Sequence, residues 1–184
     1  MANRTPEEKA RVISSALPGS LSCVPPLYPP PDMDLIQGFT SKLTASPGES
    51  IEFKVSSAND YDVKFTRIGS TTREIDRLSG LRGSIKPLEN LPWEGCAWDT
   101  DFIWTVPAGT PSTFYAAELV DTQGSSFHIP FAVKPSGNKR SKVAVLASTN
   151  TWNAYNGWGG SSSYCAEQPR VTSLDRPMTS CLPA

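Results

Sequence analysis

A mainly-β fold is predicted for this 184-residue chain on two observations. Apolar and polar residues alternate over several short runs rich in β-branched and aromatic side chains. Seventeen prolines and thirteen glycines punctuate those runs, leaving little room for long helices. A third feature stands apart: the uniformly apolar run Val143-Ala144-Val145-Leu146-Ala147, followed at once by a segment dense in Asn, Trp, Tyr and paired Gly.

The first element expected is a short helix over residues 5–17. Thr5 serves as N-cap, Pro6 takes the first helical position and Glu8 completes a capping box. Pro18-Gly19 ends it. Pro25-Pro26-Leu27-Tyr28-Pro29-Pro30-Pro31 then favours an extended polyproline conformation, so residues 1–34 read as a helix and an arm. Pro-Pro-Leu-Tyr is a pattern that WW domains take up, but Pro-rich linkers often carry it by chance, and the arm reading is preferred.

Residues 35–135 read as strands separated by turns. Ile51–Val55 and Tyr61–Ile68 alternate cleanly, with Ser46-Pro47-Gly48-Glu49 turning into the first and Ala58-Asn59-Asp60 joining the two. Further strands are expected at Asp101–Val106, Thr113–Val120 and Ser126–Val133. Asp121-Thr122-Gln123-Gly124 makes a hairpin of the last pair, and Pro130 places the last strand at an edge or on a bulge. This spacing predicts an immunoglobulin-like β-sandwich without the cysteine staple of antibodies. Between Gly69 and Trp93 the charges of Arg73, Glu74, Asp76, Arg77 and Arg82 break the period. A long loop with at most one strand, near Gly83 to Lys86, is expected there.

Pro135–Ser141 marks a boundary, and Val143–Ala147 reads as a strand covered on both faces. Residues 141–184 are therefore expected to begin an incomplete α/β domain. Such a strand without neighbours exposes an apolar edge, from which self-association is expected.

Composition excludes several function classes. Lys+Arg 17 against Asp+Glu 18 gives no general attraction to nucleic acid or to acidic membranes. The cluster Lys139-Arg140 with Lys142 is too short to alter this. No apolar stretch approaches the roughly 20 residues that span a bilayer. The first residues lack the apolar core of a secretory signal, so a cytoplasmic protein is expected. Cys23, Cys96, Cys165 and Cys181 are too scattered for a zinc site and read as reduced thiols.

The segment Asn150-Thr151-Trp152-Asn153-Ala154-Tyr155-Asn156-Gly157-Trp158-Gly159-Gly160 is expected as a loop at the carboxyl end of the preceding strand, where open α/β sheets present functional side chains. With Ser161, Tyr164 and the later Ser173-Leu174-Asp175-Arg176-Pro177, it resembles the N,N-dimethylformamidase large (beta) subunit and its relatives. A Val-Pro-Ala-Gly turn, Val106 to Gly109, belongs to the same likeness. The resemblance implies a glutamine-amidotransferase-like α/β domain following the sandwich. It also implies hydrolysis of the C–N bond of small N-substituted formamides at a mononuclear iron held by two tyrosines and a glutamate.

On that resemblance Tyr155 is the candidate iron ligand, with Tyr164 as runner-up, and catalytic acid/base residues are unassigned. Asn150, Trp152, Asn156, Trp158, Gly159, Gly160, Asp175 and Arg176 are expected to fix the loop, by packing and by side-chain hydrogen bonds to its backbone. Asp175-Arg176 also reads as a loop-fixing ion pair. His128 reads as structural, and Glu167 with Asp175 lacks the companions of an acid/base pair.

The resulting expectation is an N-terminal fragment or shortened relative, inactive by itself and binding no iron alone. A small subunit or a second copy is its expected partner, and a small amide the substrate of the full-length family. The alternative is a non-catalytic immunoglobulin-like binding module using Trp93, Trp98 and Trp104. In a third reading, the residues after Pro135 only add a strand and a tail.

Overall fold

The computed structural model describes residues 31–88, 91–137, 142–160, 162–163 and 172–179. The expected N-terminal helix and the Pro-Pro-Leu-Tyr arm lie outside these residues. Among them the chain is mainly β, in two sheets. Strands β1 (Gln37–Thr40), β3 (Ser50–Ser56) and β6 (Phe102–Thr105) form an antiparallel sheet in the order β1-β3-β6. Strands β2 (Thr44–Ala45), β4 (Tyr61–Arg67), β5 (Arg73–Leu81), β7 (Thr113–Asp121) and β8 (Ser126–Val133) form the other, in the order β2-β8-β7-β4-β5. Its pairs are antiparallel except β2 with β8, which is parallel.

Alternation along the strands builds a shared core between the sheets. Ile51, Phe53 and Val55 of β3 meet Val63 and Phe65 of β4, Tyr115 and Leu119 of β7, and Phe131 of β8. Phe53 stacks on Phe102 at 4.8 Å and meets Phe65 and Phe131 edge-on at 5.7 and 6.2 Å. Trp104 stacks on Phe65 at 4.1 Å, joining β6 of one sheet to β4 of the other. Each such ring withdraws enough apolar surface from water to contribute about 1.5–3 kcal/mol. Trp93, Trp98 and Trp104 are all buried, so they offer no aromatic binding surface.

The turns follow their chemistry. Asp121 Oδ1 accepts the backbone N–H groups of Gln123 and Ser125, and Gly124 takes the positive φ that closes the hairpin. Glu49 accepts the N–H of Ser46 across the first turn, a bond that holds its carboxyl below the ordinary range. β2 reaches only Ala132 and Val133 of β8, so Pro130 lies on the open stretch of that strand, where its missing N–H is harmless.

Three expectations are corrected. The region expected as a long loop contains β5, and Gly83 to Lys86 is not a strand. β5 pairs with β4 across two register irregularities, between Tyr61 and Val63 and between Phe65 and Thr66, which erase its period-two signal. β5 is also an edge strand, where charges such as Arg73 and Arg77 block further pairing. Val143–Ala147 is not a strand: Val143, Val145 and Leu146 are 76%, 74% and 90% exposed, and no neighbouring strand pairs with them among the described residues. The segment after it, expected as a loop, forms helix α1 (Thr149–Tyr155) and a 3-10 turn at Trp158–Gly160.

Two substitutions test this account. Trp104 Nε1 donates to Asp76 Oδ2 at 2.7 Å, tying β5 to the opposite sheet. Asp76→Ala is expected to lower stability by about 1–2 kcal/mol in urea denaturation. Thr40 Oγ1 is buried without a hydrogen-bond partner, so near-isosteric Thr40→Val is expected to leave the protein equally stable or up to about 1 kcal/mol more stable.

Candidate functional site

The candidate site is a cap made by residues 149–160 and 172–179, seated on the outer face of the three-stranded sheet. That face carries Gln37 and Phe39 of β1 and Lys54 of β3, the side chains opposite to the core-facing set. Trp158 Nε1 donates to Gln37 Oε1 at 2.7 Å, and Lys54 Nζ donates to Asp175 Oδ1 at 2.9 Å. Phe39, Cys96, Trp98 and Trp158 form a second apolar cluster, apart from the main core.

Within the cap, Arg176 is the largest fully buried side chain, at 1% exposed. Its Nε donates to Ser173 O at 3.1 Å, Nη1 to Trp158 O at 3.0 Å, and Nη2 to Asn156 O at 3.1 Å and Asn153 O at 3.5 Å. A helix leaves its last carbonyls unpaired, and a cation at that end also complements the peptide dipoles. The planar fork of one arginine serves several carbonyls that no single neutral side chain reaches. Burial pulls its guanidinium down to about 10, which leaves it protonated at neutral pH.

Asn156 completes the network. It is fully buried, donates from Nδ2 to Pro177 O at 2.8 Å, and accepts at Oδ1 from the N–H groups of Trp158 and Thr179. Gly159 and Gly160 carry φ of 84° and 85°, so the paired glycines make a left-handed turn that a side chain would strain. Trp152 leans on Phe114 of β7 with ring centroids 5.8 Å apart. Asn150 is exposed on α1, and Tyr155 is 50% exposed at the helix's C-terminal end, not at the end of a strand. Tyr164 lies outside the described residues.

Asp175 and Arg176 do not act as a mutual pair. Asp175 bridges to the sandwich through Lys54 and accepts the Ala97 N–H at Oδ2, while its carbonyl accepts the Cys96 N–H at 2.8 Å. Ser173 N donates to Trp93 O at 2.8 Å, so residues 93–97 and 173–175 are zipped side by side. The Cys96 thiol lies beneath them. Burial, reinforced by the Asp175 charge, pushes it up to about 12.

Sequence reasoning passed over Gln37, Lys54, Cys96 and Asn153. The first two sit in strands at ordinary polar positions, with no local signal of a partner more than a hundred residues away. Asn153 stands within the motif and donates to Thr172 O, a contact that its Asn-Ala-Tyr-Asn setting alone does not reveal.

A cleft lined by Thr40, Ile129, Pro130, Leu174, Arg176 and Met178 has a volume of ≈ 10 Å³. That is room for about one water, far below the hundreds of Å³ typical of ligand pockets. Among the described residues no three His, Cys, Asp or Glu side chains converge as a metal site. Tyr155 is the one motif phenol among the described residues, and a single such donor does not make an iron site.

The fold and this site define a β-sandwich with a motif-bearing cap locked onto its smaller sheet. Residues 64–182 match the family described as N,N-dimethylformamidase beta subunit-like, C-terminal, and the chain belongs to that family. It is 43% identical over 62 residues to the N,N-dimethylformamidase beta subunit of Paracoccus aminophilus, covering 34% of this chain and 8% of that protein. It is 40% identical over 65 residues to the N,N-dimethylformamidase beta subunit of an Alcaligenes species, again 34% and 8%. The matched stretch is thus under a tenth of each relative's length.

Two outcomes are expected from the lock. Arg176→Met leaves several buried carbonyls without donors and should cost about 2–4 kcal/mol, read by urea denaturation. The folded-state pKa of Cys96 lies above its unfolded value of 9.0, so its contribution is fully present below pH 9 and is lost as pH rises towards 12. Stability measured across that window should fall less steeply in Cys96→Ala than in the parent protein.

Proposed function

We propose that this chain forms one part of an amide hydrolase of the dimethylformamidase type, in which an immunoglobulin-like sandwich presents the motif helix to the rest of a catalytic centre. One observation carries the reading. The motif's Trp152, Asn156, Trp158, Gly159 and Gly160, with Asp175 and Arg176, hold α1 in place through packing, turns and hydrogen bonds, and Tyr155, a phenol at that helix's C-terminal end, is half exposed.

The relatives are named as beta subunits, which supports assembly with another subunit or a second copy. A small N-substituted formamide is the proposed substrate of the assembled enzyme. The iron that the resemblance implies is not accommodated by the described residues alone. The free, buried Cys96 thiol fits a reducing cytoplasmic setting, and no helix among the described residues is long and apolar enough to cross a membrane.

The immunoglobulin-like assignment draws on two features. After β1 at the edge of the three-stranded sheet, the chain crosses to the other sheet as β2, parallel with β8. Tyr115, near the start of β7, donates its hydroxyl to Pro111 O at 2.8 Å, the arrangement of a tyrosine corner.

The isolated chain is expected to release no amine from N,N-dimethylformamide above background, with ferric or ferrous ion supplied. Sustained turnover would overturn the reading. Tyr155→Phe is expected to stay within about 1 kcal/mol of the parent in stability, as a half-exposed ring allows. A larger loss would assign Tyr155 to the scaffold and remove the observation on which the proposal stands.

A further inference from the structure

We propose that residues 149–160 and 172–179 open from the sandwich as one cooperative unit, swinging on residues 142–148 and latched chiefly by Lys54–Asp175 and Gln37–Trp158. This rests on the packing and not on the hydrolase reading. The cap adds no strand to either sheet, and its apolar contacts are with the smaller cluster around Phe39 and Trp98, with Phe114 of β7 and along the cleft beside Ile129 and Pro130, at the margin of the core between the sheets. Units with few apolar contacts and their own internal bonds open below the free energy of global unfolding.

The connection on one side is unpacked, with Val143, Val145 and Leu146 turned to solvent. The cap's internal lock is independent of the sandwich: the Arg176 bonds to residues 153, 156, 158 and 173 and the Asn156 bonds to residues 158, 177 and 179 all stay within it. What crosses to the sandwich is a set of discrete polar bonds and ring contacts. Besides the two latches there are the backbone bonds at Trp93, Cys96 and Ala97 and the ring contacts of Trp152 and Trp158.

Cys96 reports on the opening. Its thiol is 2% exposed under the 173–175 segment and, held neutral by burial, is shielded from thiol reagents while the cap is seated. The experiment follows labelling of Cys96 by a disulfide reagent in the full chain, with Cys23, Cys165 and Cys181 replaced by Ser, at increasing sub-denaturing urea. Labelling is expected without denaturant and with little urea dependence, since little surface is exposed on opening.

Lys54→Met should raise the labelling rate by roughly fivefold, the range of a partly exposed ion pair. Asp76→Ala weakens the sandwich but lies outside the cap, and should leave the native-state rate within about twofold. Labelling that follows global unfolding, equal acceleration by the two substitutions, or no acceleration by Lys54→Met overturns the proposal.

Discussion

A buried guanidinium is the constraint on which the motif's order depends. Arg176 is almost wholly withdrawn from water, and its hydrogen bonds go to carbonyl oxygens at the end of α1 and in the turns around it. Desolvating a full charge is tolerable only where dipoles replace the lost water. The carbonyls in turn need donors, because α1 is too short to satisfy its own end and has no side-chain cap bond at its start. Each requirement answers the other, so neither the helix nor the Ser173–Pro177 segment is expected to be ordered without its counterpart.

The sandwich contributes a surface as well as a core. A three-stranded sheet has two faces, and only one can be covered by the five-stranded partner. On the other, Phe39 and the nearby Trp98 would face water, an apolar patch of the kind that promotes association. Trp158 meets Trp98 edge-on at 6.2 Å and covers that patch, while its indole N–H is satisfied by Gln37. Lys54 lies over Phe39 at 5.3 Å from the ring centroid and reaches Asp175, spanning the same seam. All four strand residues of β1 are buried for this reason, although the strand lies at a sheet edge.

Much of the sandwich was legible because its signals are local. The alternation in β3 and β4, the Asp-Thr-Gln-Gly hairpin and the proline in β8 each report on chemistry within a few residues. β1 escaped because it is covered on both faces and so does not alternate, and β2 because two residues carry no period. β5 escaped because its bulged pairing and edge position fill it with charges. The motif was recognisable as a set of residues but not as a shape. An apolar run ahead of it suggested a strand and loop, yet a strand exists only where another pairs with it, and the helix that forms instead is held by Arg176 some twenty residues further on. Such a dependence has no signature in local periodicity.

The neighbours Asp175 and Arg176 show why an adjacent pair of opposite charges need not be a salt bridge. The chain bends over residues 174–176, and the two side chains leave that bend towards different partners. Arg176 turns inward to the carbonyls of the cap, and Asp175 turns outward to Lys54 and the Ala97 N–H of the sandwich. One charge therefore holds the cap together and the other holds it down. Substitutions at the two positions act on separate equilibria, the folding of the cap and its seating, and their effects are distinguishable because among the described residues the two side chains bond to different partners.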